Sequence, residues 1–314
     1  MTRTAFVFPG QGSQTPGMLK ELAQSYPEVE KTFNEASQAL GYDLWDAIQH
    51  ESSIDITETY RTQPIILTCS IAIWRLWCAN GGPKPDYVAG HSLGEWSALV
   101  CSNVVSFVDA IKIVEKRGQL MQAAVPIGEG AMAAILGIDD ALVTSICRSA
   151  DDSNNVCAVN FNAPGQVVIA GRTASVERAI MLAKDAGAKR ALLLPVSAPF
   201  HTNMMRPASK MLEQDLKAIR FFPPDIPVVH NLNAGFENDP ERIRSLMLAQ
   251  IYNPVQWVSC IETLKALGVY TYFECGPGRV LSGLARKIEP AFELFSSHDV
   301  TRFQSALDAS REKG

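Results

Sequence analysis

The segment Gly90-His91-Ser92-Leu93-Gly94 constrains this chain more than any other stretch. It fits G-x-S-x-G. Residues 86–90 read as a short buried strand leading into it, and residues 93–100 read as the helix that follows. That strand–turn–helix setting is the one a nucleophile elbow requires. The glycines let the backbone turn sharply and lift the serine hydroxyl off the sheet. The serine then lies near a helix N-terminus, whose unpaired N–H groups face a developing oxyanion. A chance Gly-Ser turn carries the same letters, so the motif needs partners elsewhere in the chain.

The surrounding pattern supplies a fold. Residues 4–8 read as a buried strand, broken by Pro9-Gly10-Gln11-Gly12, with a helix from near Gly17. Residues 28–40 read as a helix. Residues 63–77 are nearly all apolar, which suits a buried helix. From 131 to 196 the rhythm changes to strand 131–137, helix 139–150, strands 156–160 and 166–170, helix 175–186 and strand 188–196. Asn162-Ala163-Pro164-Gly165 separates the two middle strands. This order is the split βαβ, ferredoxin-like pattern. The tail returns to strand 227–231, helices 240–251 and 255–267, and strand 270–274. Gly276-Pro277-Gly278 ends that strand and a further helix follows. The expected fold is α/β: an α/β-hydrolase-like parallel-sheet body over residues 1–130 and 197–314. A ferredoxin-like (βαββαβ) subdomain is inserted at 131–196. A chain of 314 residues has room for both.

Composition narrows the function. The net charge of −5 gives no overall footprint for nucleic acid. Apolar residues make up 47%, yet the longest uncharged apolar windows, 62–74 and 96–108, fall short of the ~18 residues of a membrane span. The apolar stretch before Pro9 is too short for a secretion signal. Seven cysteines, odd in number and without a C-x-x-C, sit mostly in apolar runs. They read as reduced core residues of a cytoplasmic protein, with no spacing for a structural zinc site. No metal or cofactor is expected.

A serine nucleophile needs a base. Of the histidines 50, 91, 201, 230 and 298, His91 is too close along the elbow, and His50 and His298 lie in polar stretches. His230 ends a strand, where a satisfied core histidine also fits. His201 follows strand 188–196 and the loop Ser197-Ala198-Pro199-Phe200, the kind of strand-end loop that presents catalytic groups. A loop-capping histidine is the alternative. Arg117 is the second informative residue. On a helical wheel over 107–125 it falls in the middle of the apolar half. A buried lone guanidinium is costly. It needs a carboxylate, from the protein or from a ligand, and its fork suits a bidentate one. The Gly10-Gln11-Gly12 loop fails as a dinucleotide fingerprint, because Thr15 stands where the third glycine belongs. It fails as a P-loop, because Met18 and Leu19 replace the lysine and hydroxyl positions. A glycine loop with free N–H groups at a strand end remains.

Taken together, these segments resemble the malonyl-CoA:acyl carrier protein transacylases of fatty acid synthesis. The resemblance rests on Phe8-Pro9-Gly10-Gln11-Gly12-Ser13-Gln14, Gly90-His91-Ser92-Leu93-Gly94-Glu95 and Pro199-Phe200-His201. Glu274-Cys275-Gly276-Pro277-Gly278, the segment Asn160 to Gln166 and the segment Tyr252 to Trp257 extend it. It runs from residue 3 to about 290. Cys275 departs from the small aliphatic residue more usual there, and the last 25 residues carry no signature. The resemblance implies Ser92 as nucleophile, His201 as base, and Gln11 and Leu93 as backbone oxyanion donors. It implies Arg117 as the holder of the malonyl carboxylate and Gln250 as the residue whose carbonyl orients His201. Gln11, His91 and Asn162 would line the substrate pocket. The implied partners are malonyl-CoA and an acyl carrier protein. A monomer is the default expectation for the chain itself. An esterase or thioesterase shares the elbow and differs in its product. A non-catalytic docking subunit is the third reading. Carrier proteins are usually acidic, so docking to this acidic chain needs a local basic patch. Arg279, Arg286 and Lys287 form one candidate, and Lys189 with Arg190 another.

Overall fold

The computed structural model describes residues 3–50, 56–151, 153, 155–196 and 198–313. Ser197, where the expected body resumes, lies outside them. Among the described residues, nine strands form two sheets. The first contains β1 (Arg3–Phe8), β2 (Tyr87–Gly90), β7 (Val228–Val229), β8 (Val269–Glu274) and β9 (Glu293–Ser296) in the order β7-β2-β1-β8-β9, all parallel. The second contains β3 (Gly130–Leu136), β4 (Val156–Ala163), β5 (Gln166–Arg172) and β6 (Arg190–Leu193) in the antiparallel order β4-β5-β3-β6. With its helices Asp140–Ala150 and Thr173–Asp185, this second sheet has the ferredoxin-like arrangement expected from the sequence.

The parallel sheet is buried on both faces, which is why its strands read as continuous apolar runs. Alternate residues serve opposite cores. Phe6, Phe8, Val88 and Phe273 pack on one side. Ala5, Val7, Ala89 and Tyr272 pack on the other. The small sheet has its own core against its two helices. Its opposite face, with Met132, Val159 and Val168, joins the main core of the body. One backbone clamp ties the units together. Val255 donates to the Val159 carbonyl at 2.8 Å, and Phe161 donates to the Val255 carbonyl at 3.1 Å.

Several boundaries differ from the sequence reading. β4 runs on to Ala163, so Asn162 and Ala163 belong to a strand and not to a loop. Bulges in its pairing with β5 skip Val159 and Asn162. These bulges blurred the strand's alternation and shortened it in the sequence reading. The helix after the elbow is Gly94–Cys101, with Leu93 as its N-cap. Arg279 is likewise the N-cap of helix Val280–Ile288. The last parallel strand β9 and helix Val300–Lys313 come from the tail that carried no signature.

Two helices position the site through a close approach. Helix Phe107–Ala123 crosses Thr59–Ala79 at Gly118. A Cβ at Gly118 would stand 2.5 Å from the Tyr60 Cα and 2.9 Å from the Thr59 carbonyl oxygen. Only glycine allows this contact, and it brings Arg117 beside Gln63. Gly118→Ala therefore forces the helices apart. We expect a loss of about 1–3 kcal/mol, the usual range for overpacking, measured by urea unfolding.

Candidate active site

The elbow is built at the C-terminal ends of adjacent parallel strands, where open α/β sheets place their ligands. Phe8 of β1 is in register with Gly90 of β2. The loops that follow bring Gly10-Gln11 against His91-Ser92. Steric closeness fixes the glycines. A Cβ on Gly90 would stand 1.9 Å from the Gly94 carbonyl, and one on Gly94 would stand 1.9 Å from the Phe8 carbonyl oxygen. Ser92 has φ 50° and His201 has φ 63°, both in the left-handed region that costs a side-chain-bearing residue. The Ser92 N–H donates to Asn231 Oδ1 at 2.7 Å, and Asn231 Nδ2 donates to the Gly90 carbonyl at 2.7 Å, so one asparagine staples both arms of the turn.

Ser92 Oγ and His201 Nε2 are 2.8 Å apart. His201 Nδ1 lies 2.8 Å from the Gln250 carbonyl oxygen. A carbonyl only accepts, so Nδ1 carries the proton and the Nε2 lone pair faces the serine hydroxyl. No acid is needed to set this tautomer. Burial, and then the nearby Arg117 charge, push the His201 pKa down to about 3. The imidazole is therefore neutral at neutral pH, which is the form a base requires.

Arg117 is fully buried, as the wheel predicted, but no carboxylate touches it among the described residues. Nη1 donates to Gln63 Oε1 at 2.7 Å, and Nη2 to Gln250 Oε1 at 3.0 Å. Nη2 also lies 3.3 Å from Ser92 Oγ. Nε is buried without a partner among the described residues. Burial lowers the pKa to about 10, against which Glu95 raises it, so the guanidinium stays charged at neutral pH. Two amide oxygens thus stand in for the protein carboxylate that the sequence left open.

These groups line a cavity of about 270 Å³ between the body and the small sheet. Gln11, His91, Ser92, Leu93, Arg117, Asn162 and His201 all reach it, together with Gln63, Asn160 and Gln166. His91 Nε2 pairs with Asn162 Oδ1 at 2.7 Å, Asn162 being the residue left out at the second bulge of β4. Burial lowers the His91 pKa. The Gln11 side chain donates to Thr59 Oγ1 at 3.2 Å. Among the described residues, no acceptor takes the backbone N–H of Gln11 or Leu93. The Gln250 side chain and backbone both enter the site. A larger open groove of about 980 Å³ lies by Lys20, His298 and Arg302, and neither Ser92 nor His201 lines it.

Sequence reasoning missed Gln63, Asn231 and the role of Glu95. Glu95 carried a usable signal. It is a charge on a helix that is apolar nearly all round, the same anomaly that singled out Arg117.

The chain is similar to known proteins over nearly its whole length. The acyl transferase domain family matches residues 5–282. The chain is 50% identical over 308 residues to the malonyl CoA-acyl carrier protein transacylase of Escherichia coli K12, covering 98% of this chain and 100% of that one. The crystal structure of an acyl carrier protein S-malonyltransferase from Vibrio cholerae superposes with a TM-score of 0.94 at 49% identity, covering 97% of this chain and 99% of that one. A malonyl-transacylase solved in complex with its type II PKS acyl-carrier protein gives 0.96 at 47% identity, covering 98% and 100%. The fold and the domain match define an acyltransferase. The chain belongs to the malonyl CoA-acyl carrier protein transacylase family.

The protonation state of His201 yields a prediction that needs no natural substrate. An ordinary histidine loses its lone pair to a proton as the pH falls through about 6.5. His201, with its pKa lowered, keeps it. The rate at which a small uncharged phosphonyl fluoride modifies Ser92 is expected to stay level from pH 7.5 to about pH 5. An acid limb near 6.5 in stopped-flow measurements would contradict the buried, neutral imidazole.

Proposed function

We propose that the chain transfers the malonyl group from malonyl-CoA to the phosphopantetheine thiol of an acyl carrier protein, for fatty acid biosynthesis in the cytoplasm. The transfer is ping-pong, through a malonyl-serine ester. One observation carries the substrate choice: a buried guanidinium with no carboxylate partner among the described residues stands 3.3 Å from the serine oxygen. A malonyl ester on Ser92 places its free carboxylate within reach of that cation. The cavity of about 270 Å³ suits a short acyl chain and leaves the nucleotide of CoA outside.

Each half-reaction uses the same groups. Ser92 Oγ attacks the thioester carbonyl carbon while His201 Nε2 takes the hydroxyl proton. The negative charge that develops on the carbonyl oxygen rests on the N–H groups of Gln11 and Leu93. One such donor is typically worth about 10²–10³ in rate. Collapse breaks the carbon–sulfur bond, and the departing CoA sulfur takes the proton from His201. The carrier thiol then enters. His201 takes its proton, the sulfur attacks the ester carbonyl, and collapse returns the proton to Ser92 Oγ. The Gln250 carbonyl holds the imidazole through both steps. We assign residues 131–196 as the subdomain that walls the cleft, with 1–130 and 197–314 as the catalytic body. The protein acts as a monomer.

The carrier docks on the basic cluster beside the cleft. Arg279 and Arg286 line one open groove with Arg302. Lys287 Nζ donates to Gln166 Oε1 at 2.7 Å, and Gln166 lines the cavity. This link to the site favours the cluster over Lys189 and Arg190.

Three measurements test the proposal. Arg117→Ala should cut kcat/KM for malonyl-CoA by at least about a hundredfold more than for acetyl-CoA, the scale of a lost charge-assisted pair. Equal losses would remove the carboxylate-holding role. Mass spectrometry after malonyl-CoA treatment should find a gain of about 86 Da on Ser92, the covalent intermediate of an activated serine. Free malonate in place of malonyl-carrier would favour a hydrolase. Arg286→Glu combined with Lys287→Glu should raise KM for the carrier about tenfold, with a smaller change for malonyl-CoA.

A further inference from the structure

Glu95 has no part in the reaction as written above, yet it is buried at the centre of the site. It stands in the first turn of helix Gly94–Cys101, three residues after the serine. Its carboxylate accepts three bonds. Oε1 receives His230 Nδ1 at 2.7 Å. Oε2 receives the Asn231 backbone N–H at 3.1 Å and Gln250 Nε2 at 2.7 Å. The last of these has a consequence for Arg117.

A primary amide has one accepting and one donating end, and its neighbours decide which way it faces. Gln250 Nε2 donates to Glu95 Oε2 and also to the Ser92 carbonyl oxygen at 2.9 Å. Both partners only accept. The amide nitrogen must therefore face them, which leaves Oε1 toward Arg117 Nη2. Reversed, the amide would set its NH₂ against the guanidinium and its oxygen against two acceptors. The Glu95 carboxylate thus does two things across one side chain. It holds the amide in the orientation that fixes Nη2 beside Ser92 Oγ, and its charge favours the charged guanidinium.

We propose that Glu95 is a positioning residue for acyl-group preference: acting through the Gln250 amide, it aims Arg117 at the carboxylate of the acyl chain on Ser92. This rests on the reading of Arg117 as the holder of that carboxylate. The test uses the full chain with Glu95→Gln, a near-isosteric change that removes the charge and the fixed acceptor. kcat and KM are measured with malonyl-CoA and with acetyl-CoA, beside Arg117→Ala and a melting curve. The ratio of kcat/KM for malonyl-CoA over acetyl-CoA should fall about tenfold or more, with the loss appearing in the KM for malonyl-CoA. A residue that only supported the fold would lower both substrates together, and that result overturns the proposal. Gln250→Met cuts the relay while keeping the backbone carbonyl for His201, and it carries the test if Glu95→Gln does not fold. It should shift the same ratio in the same direction. If Arg117→Ala collapses the ratio while both relay variants leave it, the role of Glu95 fails and that of Arg117 stands. If Arg117→Ala itself spares the ratio, both fail.

Discussion

A guanidinium buried without a carboxylate is the interaction on which the rest of this structure depends. A lone charge in a protein interior costs several kcal/mol unless polar neighbours replace its water. Here the replacement is partial by construction. Two amide oxygens, from Gln63 and Gln250, take one hydrogen bond each, and Nε has no described partner. Glu95, the carboxylate whose charge favours the guanidinium, acts across a side chain rather than by contact. The fold supports this arrangement with packing. Gly118 lets two long helices touch, and the helix bearing Gln63 is buried along most of its length. The stability of the core thus offsets a site that is itself unfavourable, which is where strain and unpaired groups concentrate in enzymes.

Ser92 and His201 face a similar constraint in their backbones. Ser92 and His201 both hold left-handed φ angles without being glycine. Each is locked by bonds that leave it little choice. Asn231 pins the serine N–H, and the Gln250 carbonyl pins the imidazole. Asn231 and Gln250 meet the same Glu95 carboxylate. Ser92, His201 and Arg117 are therefore positioned by one connected set of buried hydrogen bonds. Such sets are stable only when nearly every member is satisfied.

Much of this was legible in the sequence, for identifiable reasons. The parallel strands declared themselves because burial on both faces removes alternation, as in residues 4–8. The ferredoxin-like sheet declared itself by the order of its elements. Ser92 stood out through glycines whose necessity is steric, and Arg117 through its place on an apolar wheel. What stayed hidden depends on contacts distant along the chain. Gln63 looks like any polar residue near a helix start until the crossing at Gly118 sets it against Arg117. Asn231 read as the end of a strand over 227–231, whereas the strand is only Val228–Val229 and the asparagine beyond it bonds the elbow. The end of β4 was misread because its bulges break the period of two. Strand β9 and the final helix carried no motif. Their place is set by packing against β8 and the aromatic residues around Phe303.

The charge on Arg117 also bears on His201. It is the second cause, after burial, of the lowered pKa of His201. Burial and this field together keep the imidazole neutral and weakly basic. Under the function proposed above, the substrate brings a carboxylate to the guanidinium. An opposite charge beside a cation cancels part of its field on a neighbour. The sign follows directly: with the Arg117 field reduced, protonated His201 becomes less unfavourable, so the base gains strength when a carboxylated acyl group arrives. An acetyl thioester brings no such charge. The preference for a carboxylate is then expressed twice by one residue, once in holding the substrate and once in easing the proton onto His201. Only the second effect acts on the chemical step, because it stabilises the imidazolium that exists in the transition state and not in the resting enzyme.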